Sequence, residues 1–383
     1  MTEALRILLV GDYGTDPRLG SSKVYHKLHE EFTQLGHRCD LILGAELGTW
    51  PRQPKIRWAV APLLAARAVA RFGAAYDVID VASAEGSVLG LRRALTPGSR
   101  VALVSRSHGL EHRNYQRLLD DHTAGLTRKR WYRRWWYPTA RLSQVALAAR
   151  LADRMIVLNP GDAEFVVARR WKTRAAIDVI PHGVSARFLD DAPPPGAPRG
   201  RGILFCGTWD DMKGVRYLAA AFAQLLDILP DVRLTVLGPG LPEAAVLSDF
   251  MPGVRHAVTV IPRLDEPEVM AQYRTHDLLV LPSSYEGFGM VVVEAMSQRL
   301  PVVATPMGAA MELVRDGETG ILVPLRSAGR LAAAMRRLLT DHDLASRLAE
   351  AAYAQASTHT WTRTAQRTIA SYRAAIASRV EGR

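Results

Sequence analysis

LLVLPSSYEGFGMVVVEAM, residues 278–296, decides how this chain is read. LLVLP is a short apolar run ending at Pro282. SSYEGFG follows as a polar loop with two glycines, and MVVVEAMSQR then has the look of a helix, with Glu294 about one turn in. The pattern is a strand, a loop and a helix. A helix start presents unpaired N–H groups and the positive end of the dipole, which suits an anion. Gly287 and Gly289 let backbone N–H groups come close to a ligand. Glu286 and Glu294 have seven residues between them. Alone, the two acids are open to acid–base chemistry, to a metal or to hydroxyl binding, and equally to a capping acid beside a surface glutamate.

The same alternation runs through the whole chain. RILLV (6–10), DLIL (40–43), DVIDV (77–81), VALVS (101–105), MIVL (155–158) and IDVI (177–180) are short apolar runs in the first half. GILFCG (202–207), RLTVLG (233–238), AVTVI (257–261), LLVLP (278–282), PVVAT (301–305) and ILVP (321–324) repeat them in the second. Helical spacing fills the gaps, as at 214–229 and 328–340. Strands alternating with helices predict an α/β chain with parallel sheets covered on both faces. A length of 383 residues favours two domains. DDAPPPGAPRGRG (190–202) resists helix and marks the break. The expected division is therefore 1–190, a linker over 191–202, 203–360, and a last helix over 361–383 that packs back on the first domain. Open α/β sheets bind ligands beyond the carboxyl ends of their strands, so the groove between two such domains is the expected site.

Composition excludes several classes. No run of eighteen apolar residues predicts a membrane span. The N-terminus, MTEALRILLVGDYG, lacks the features of a signal peptide. Cys39 and Cys206 lie far apart beside apolar residues and read as reduced core thiols of a cytoplasmic protein. Charge is uneven: residues 1–190 hold 29 Lys+Arg against 18 Asp+Glu, and residues 191–383 hold 20 of each. The excess of +11 lies wholly in the first half, which should face something anionic.

Two further stretches join the opening one. FCGTWDDMKG (205–214) is a strand, a glycine turn and a lysine before a helix. TPMGAAMELVRDGETGILVP (305–324) is a glycine loop, a helix start and a turn into a strand. In this order the three resemble the C-terminal domain of the GT-B glycosyltransferases, specifically glycosyltransferase family 4. The resemblance is specific over about 200–325 and weaker over 1–190. It implies two Rossmann-like domains with parallel sheets facing a central cleft, and transfer of a sugar from a nucleotide-diphosphate sugar, UDP- or GDP-linked, to an acceptor hydroxyl. It implies retention of anomeric configuration and no metal or other cofactor. No Asp-x-Asp metal motif is present, and Asp210 and Asp211 read as a polar turn.

Residue by residue, the resemblance gives Glu286 to the donor sugar and Glu294 to the ribose. The backbone of Phe288, Gly289, Met290 and Val291 would meet sugar and diphosphate, and Arg263-Leu264 the base. Lys213 would neutralise the leaving diphosphate, since fixed cations and helix N–H groups stabilise developing phosphate charge. Thr208 stands where the family carries an arginine, so Arg106, Arg216 and Arg263 become candidate substitutes. In the first half, GDYGTDPRLGSS (11–22) is not G-x-G-x-x-G and argues against a dinucleotide enzyme. It resembles the family's phosphate-closing loop, with Gly20 at its key position. His108 in VSRSHGLEHR (104–113) would face the donor sugar, and Glu111, His112 and Arg113 the acceptor. His182 in IPHGV (180–184) reads as structural.

RKRWYRRWWYPTAR (128–141) interleaves bases with aromatics, and no acid occurs from 122 to 152. Arg130, Trp131, Arg133, Arg134, Trp135 and Trp136 suit an anionic membrane surface or anionic acceptor. They also suit a solvated helix with its rings packed inward; nucleic acid is not expected as a partner. The acceptor is expected to be a glycan, a lipid-linked sugar or a small molecule, reached from the cytoplasm or the inner membrane face. Two rival readings stay open: a sugar-nucleotide epimerase on the same scaffold, and a sugar-nucleotide-binding protein whose catalysis is weakened at Thr208.

Overall fold

A computed structural model describes residues 3–14, 16, 18, 20–48, 53–72, 76–96, 98–126, 135–197 and 202–381. Among the described residues, twelve strands form two six-stranded parallel sheets. The first sheet contains β1 (Arg6–Val10), β2 (Arg38–Ile42), β3 (Val78–Ala82), β4 (Ala102–Arg106), β5 (Arg154–Val157) and β6 (Ile177–Val179). The second contains β7 (Gly202–Cys206), β8 (Arg233–Leu237), β9 (Val258–Ile261), β10 (Leu278–Leu281), β11 (Val302–Ala304) and β12 (Ile321–Leu322). Every apolar run singled out in the sequence supplies one of them. The reason is burial on both faces: β4, β10 and β11 have no exposed residue, so a continuous apolar run rather than an alternating one is the right signal.

Strand order positions the sites. The first sheet runs β2-β1-β3-β4-β5-β6, and its order reverses between β1 and β3, where Ile7 aligns with Val78. The second runs β12-β11-β10-β7-β8-β9 and reverses between β7 and β10, where Leu278 aligns with Ile203. At such a reversal the loops leaving the two central strands diverge to opposite faces, opening a crevice beyond the strand ends.

Two compact units emerge, one of residues 1–181 with 361–383 and one of 182–360. The break falls after Pro181, ahead of the position the triple proline suggests, so the short helix Ala186–Asp190 belongs to the second unit. Gln298 Nε2 fixes it there by donating to the Phe188 carbonyl. The last helix, Trp361–Glu381, belongs to the first unit. Its Ile369 and Tyr372 are buried, and the Tyr372 hydroxyl donates to Asp80 of β3. Cys39 is buried and Cys206 half-buried, and neither is in a disulfide. Burial pushes the Cys39 thiol far above its usual pKa.

Candidate functional site

In the second unit, the loops after β7 and β10 meet at the reversal. Leaving β7, the chain turns through Thr208 and Trp209 into a 3-10 helix, Asp211–Lys213. Trp209 is buried against Phe205 and Phe250 and donates from Nε1 to Asp249 at 2.7 Å, which anchors the turn. Asp210 caps it by accepting from the Lys213 N–H at 3.2 Å. Gly214 then takes φ +71°, and a Cβ there would collide with the Pro282 carbonyl at the end of β10. Only glycine lets the lysine turn pack so closely on the neighbouring strand. Ser284 completes the join, its N–H donating to the Met212 carbonyl at 2.8 Å.

This packing brings Lys213 to Glu286. Lys213 Nζ donates to Glu286 Oε1 at 2.7 Å, and Ser283 Oγ donates to the same oxygen at 2.7 Å. The carboxylate side chain is 6% exposed and the lysine 18%. Lys213 and Glu286, assigned separately from the sequence to the diphosphate and the sugar, are thus bonded to each other. Gly289, at φ +80°, precedes helix Met290–Ser297 and lies against Glu286, whose carboxyl carbon a Cβ there would meet at 3.5 Å. Phe288 is buried, its ring edge-on to His182 at 5.2 Å, and its carbonyl accepts from Ala309 N–H. Met290 and Val291 are half-buried at the helix start. Glu294 is buried one turn on, and its Oε2 accepts from the Tyr273 hydroxyl at 3.0 Å. The two acids therefore serve different elements, Glu286 the lysine turn and Glu294 the helix Glu266–Thr275.

Thr208 is exposed, and its hydroxyl donates to Asp210 Oδ2 at 2.9 Å, serving the turn. Of the candidate substitute cations, Arg106 is excluded. It is fully buried in the first unit and donates to Asp80 Oδ2 from Nε at 2.9 Å and Nη2 at 2.6 Å. Arg216 pairs with Asp211 at 2.9 Å. Arg263 is exposed just beyond β9, beside half-buried Leu264 and close to Gly238 at the end of β8.

In the first unit, His108 follows β4 and is half-buried. Its ring meets Tyr13 edge-on at 5.4 Å and Tyr25 at 5.2 Å. Burial, then the Arg106 guanidinium, lowers its pKa to about 3, so the imidazole is neutral at ordinary pH. Gly20 opens helix Gly20–Gln34, and among the described residues nothing lies close enough to require glycine there. Glu111 accepts from Arg141 Nε at 3.0 Å and from the Tyr137 hydroxyl at 3.2 Å. Arg113 donates to Asp162 at 2.8 Å. His112, expected on the acceptor side, instead packs edge-on against Trp171 at 4.5 Å and near Phe165. Burial is the main cause lowering its pKa to about 4. Arg130, Trp131, Arg133 and Arg134 lie outside the described residues, whereas Trp135 and Trp136 are 69% and 46% exposed.

Sequence reasoning missed Ser283, Tyr273 and Arg141 as the partners of Glu286, Glu294 and Glu111. Ser283 sits in the quoted loop and was within reach; Tyr273 comes from a helix that carries no motif. Among the described residues no group of three or more His, Cys, Asp or Glu could hold a metal. None of the described helices is long and apolar enough to cross a membrane.

Residues 200–341 match the model of the family described as glycosyl transferases group 1. A D-inositol 3-phosphate glycosyltransferase of Arthrobacter sp. (strain FB24) is 33% identical over 237 residues, 59% of this chain and 56% of that protein. A phosphatidyl-myo-inositol mannosyltransferase of Mycobacterium leprae is 34% identical over 203 residues, 51% of this chain and 54% of that one. The chain thus spans about half the length of the curated relatives it matches. Among solved structures, sucrose-phosphate synthase from Thermosynechococcus elongatus superposes with a TM-score of 0.77 at 22% identity, covering 97% of this chain and all of that one. The Anabaena HepE protein in complex with UDP-glucose does so at 0.69 and 19%, covering 99% and 100%. The chain has the α/β GT-B fold of these proteins, with its two Rossmann-like parallel sheets.

Proposed function

We propose that this chain, whose residues 200–341 match the model of the glycosyl transferases group 1 family, transfers a sugar from a nucleotide-diphosphate sugar to an acceptor hydroxyl. The observation that carries the reading is the Lys213–Glu286 pair, 2.7 Å apart at the reversal of the second sheet, beside a glycine-led helix start. When a donor binds, Lys213 and the first-turn N–H groups meet the diphosphate, and Glu286 turns its second oxygen to the sugar. Glu294, held by Tyr273, takes the ribose hydroxyls. Charge that develops on the leaving phosphate is met by groups already in place, which is the cheapest way to lower such a barrier. In the first unit, neutral His108 is a hydrogen-bonding group rather than an acid.

The reading includes retention of configuration, with the leaving phosphate taking the acceptor's proton, and independence of metal. It favours a UDP- or GDP-sugar, and it places the protein in the cytoplasm, resting on the inner membrane face through Trp135 and Trp136. A second reading, a nucleotide-sugar binder with weakened transfer, is favoured by Thr208, which supplies no cation beside Lys213. A thermal-shift screen across UDP-, GDP-, ADP- and dTDP-sugars, followed by acceptor trials, tests the first reading. A stabilising donor and a glycosylated acceptor support it, and no stabilisation by any donor ends it. With the donor in hand, proton NMR of the product reads retention or inversion, and activity in excess chelator reads the need for a metal. Transfer raised by Thr208→Arg from near zero would favour the second reading.

A further inference from the structure

The reversal of the first sheet holds a buried carboxyl group with an unanswered oxygen. After β3 the chain turns at Ser83, whose φ of +39° lies in the left-handed region that side chains avoid. Such strain persists where surrounding structure enforces it, often at functional positions. Two residues on, Glu85 is only 3% exposed. Its Oε1 accepts from Arg141 Nη1 at 2.8 Å, while its buried Oε2 accepts no hydrogen bond among the described residues.

Arg141 lies on Tyr137–Leu142, a π-helical turn, a rare form that recurs at functional sites. It also donates to Glu111 Oε1 from Nη2 at 3.0 Å. One guanidinium therefore answers two carboxyl groups. The cluster reaches solvent through Glu111, 20% exposed, and closes inward at Glu85. Tyr13, after β1, feels Glu85, Arg141 and Glu111 and presents its ring to His108 at 5.4 Å. The cluster is thus one ring away from the histidine assigned to the donor sugar. Burial raises the Glu85 pKa against the opposing pull of Arg141. A phosphate arriving here meets a cation already shared by two acids. A hydroxyl meets an acceptor oxygen waiting for a proton donor.

On the reading of this chain as a glycosyltransferase, we infer that Glu85 is a specificity-determining residue for the acceptor. Its Oε2 takes a hydrogen bond from a hydroxyl of an uncharged sugar or polyol ring. This differs from the phosphorylated inositol in the relatives' names.

The test uses the full chain, the donor found by thermal shift, and matched acceptor probes: myo-inositol with D-inositol 3-phosphate, glucose with glucose 6-phosphate, and fructose with fructose 6-phosphate. The uncharged member of at least one pair should be preferred tenfold or more in kcat/KM. Glu85→Gln should erase most of that preference through KM, and Glu85→Asp should restore part of it. Thermal melting checks that each variant folds, and Glu85→Asp carries the test if Glu85→Gln does not. Preference for the phosphorylated members, no transfer to any uncharged probe, or an acceptor KM indifferent to position 85 overturns the inference. Wild-type protein that binds no nucleotide sugar defeats the proposed function instead. Donor binding with an indifferent Glu85 defeats only this inference.

Discussion

Each sheet reverses its strand order once, and the two crevices are furnished differently. Between β7 and β10 stand a lysine and a glutamate, joined at 2.7 Å and backed by a serine, on loops locked together by glycine and tryptophan. Between β1 and β3 stand Tyr13 and Glu85, with Arg141 reaching in from a separate turn to bridge Glu85 and Glu111. Behind them, Arg106 and Asp80 form a fully buried pair sealed by Tyr372 of the last helix. The second crevice is built on two short loops, each a compact motif in the sequence, joined by one ion pair that spans 73 residues. The first is assembled from segments as far apart as residues 13, 85, 111 and 141. The same architecture thus yields one crevice written in two compact motifs and one gathered from single residues of several segments.

The sharpest way to test that difference is to break the buried pair. Arg106→Leu strands Asp80 in the core and should cost about 3–5 kcal/mol of stability, read as a lower denaturation midpoint, with donor affinity held in the folded fraction. Undiminished stability would show that the pair is idle. Next comes Glu286→Gln, which should lower transfer by about a hundredfold or more while donor dissociation constants stay within a few-fold. Equal turnover would remove Glu286 from the reaction. Tyr273→Phe deletes one hydrogen bond to Glu294 and should weaken donor binding about fivefold, the worth of roughly 1 kcal/mol, by calorimetric titration. An unchanged constant would separate Glu294 from the ribose.

The smallest effect concerns acid. The pKa of His108 is about 3 in the folded chain, below its ordinary value near 6.5. The unfolded chain therefore binds the extra proton first, so this contribution to stability is full above about pH 6.5 and is lost as pH falls toward 3. His108→Phe should flatten the acid limb of a melting-temperature profile, and an unaltered limb would assign it to other groups such as His112.

The twelve strands were legible because parallel strands buried on both faces leave continuous apolar runs, and every run found its strand. Lys213 and Glu286 were legible as individual residues because each sits in a short motif. Their mutual bond was not, because it depends on Gly214 packing the lysine turn against Pro282, a contact between segments far apart in sequence. The first crevice stayed obscure for the same reason. Arg106 looked available because it follows an apolar strand, and only the fold sets Asp80 and Tyr372 around it. Arg141 looked like one more base in a basic run until Glu85 and Glu111 claimed it. His112 read as an acceptor-side residue next to Glu111 and Arg113, yet its ring packs against Trp171.

The central claim is that the Lys213–Glu286 crevice takes the donor. Calorimetric titration of the stabilising nucleotide sugar into wild type and Lys213→Ala tests it most directly. At least a tenfold weaker dissociation constant for the variant, with its fold intact by melting, is the expected result. An identical constant in the two proteins would contradict the account.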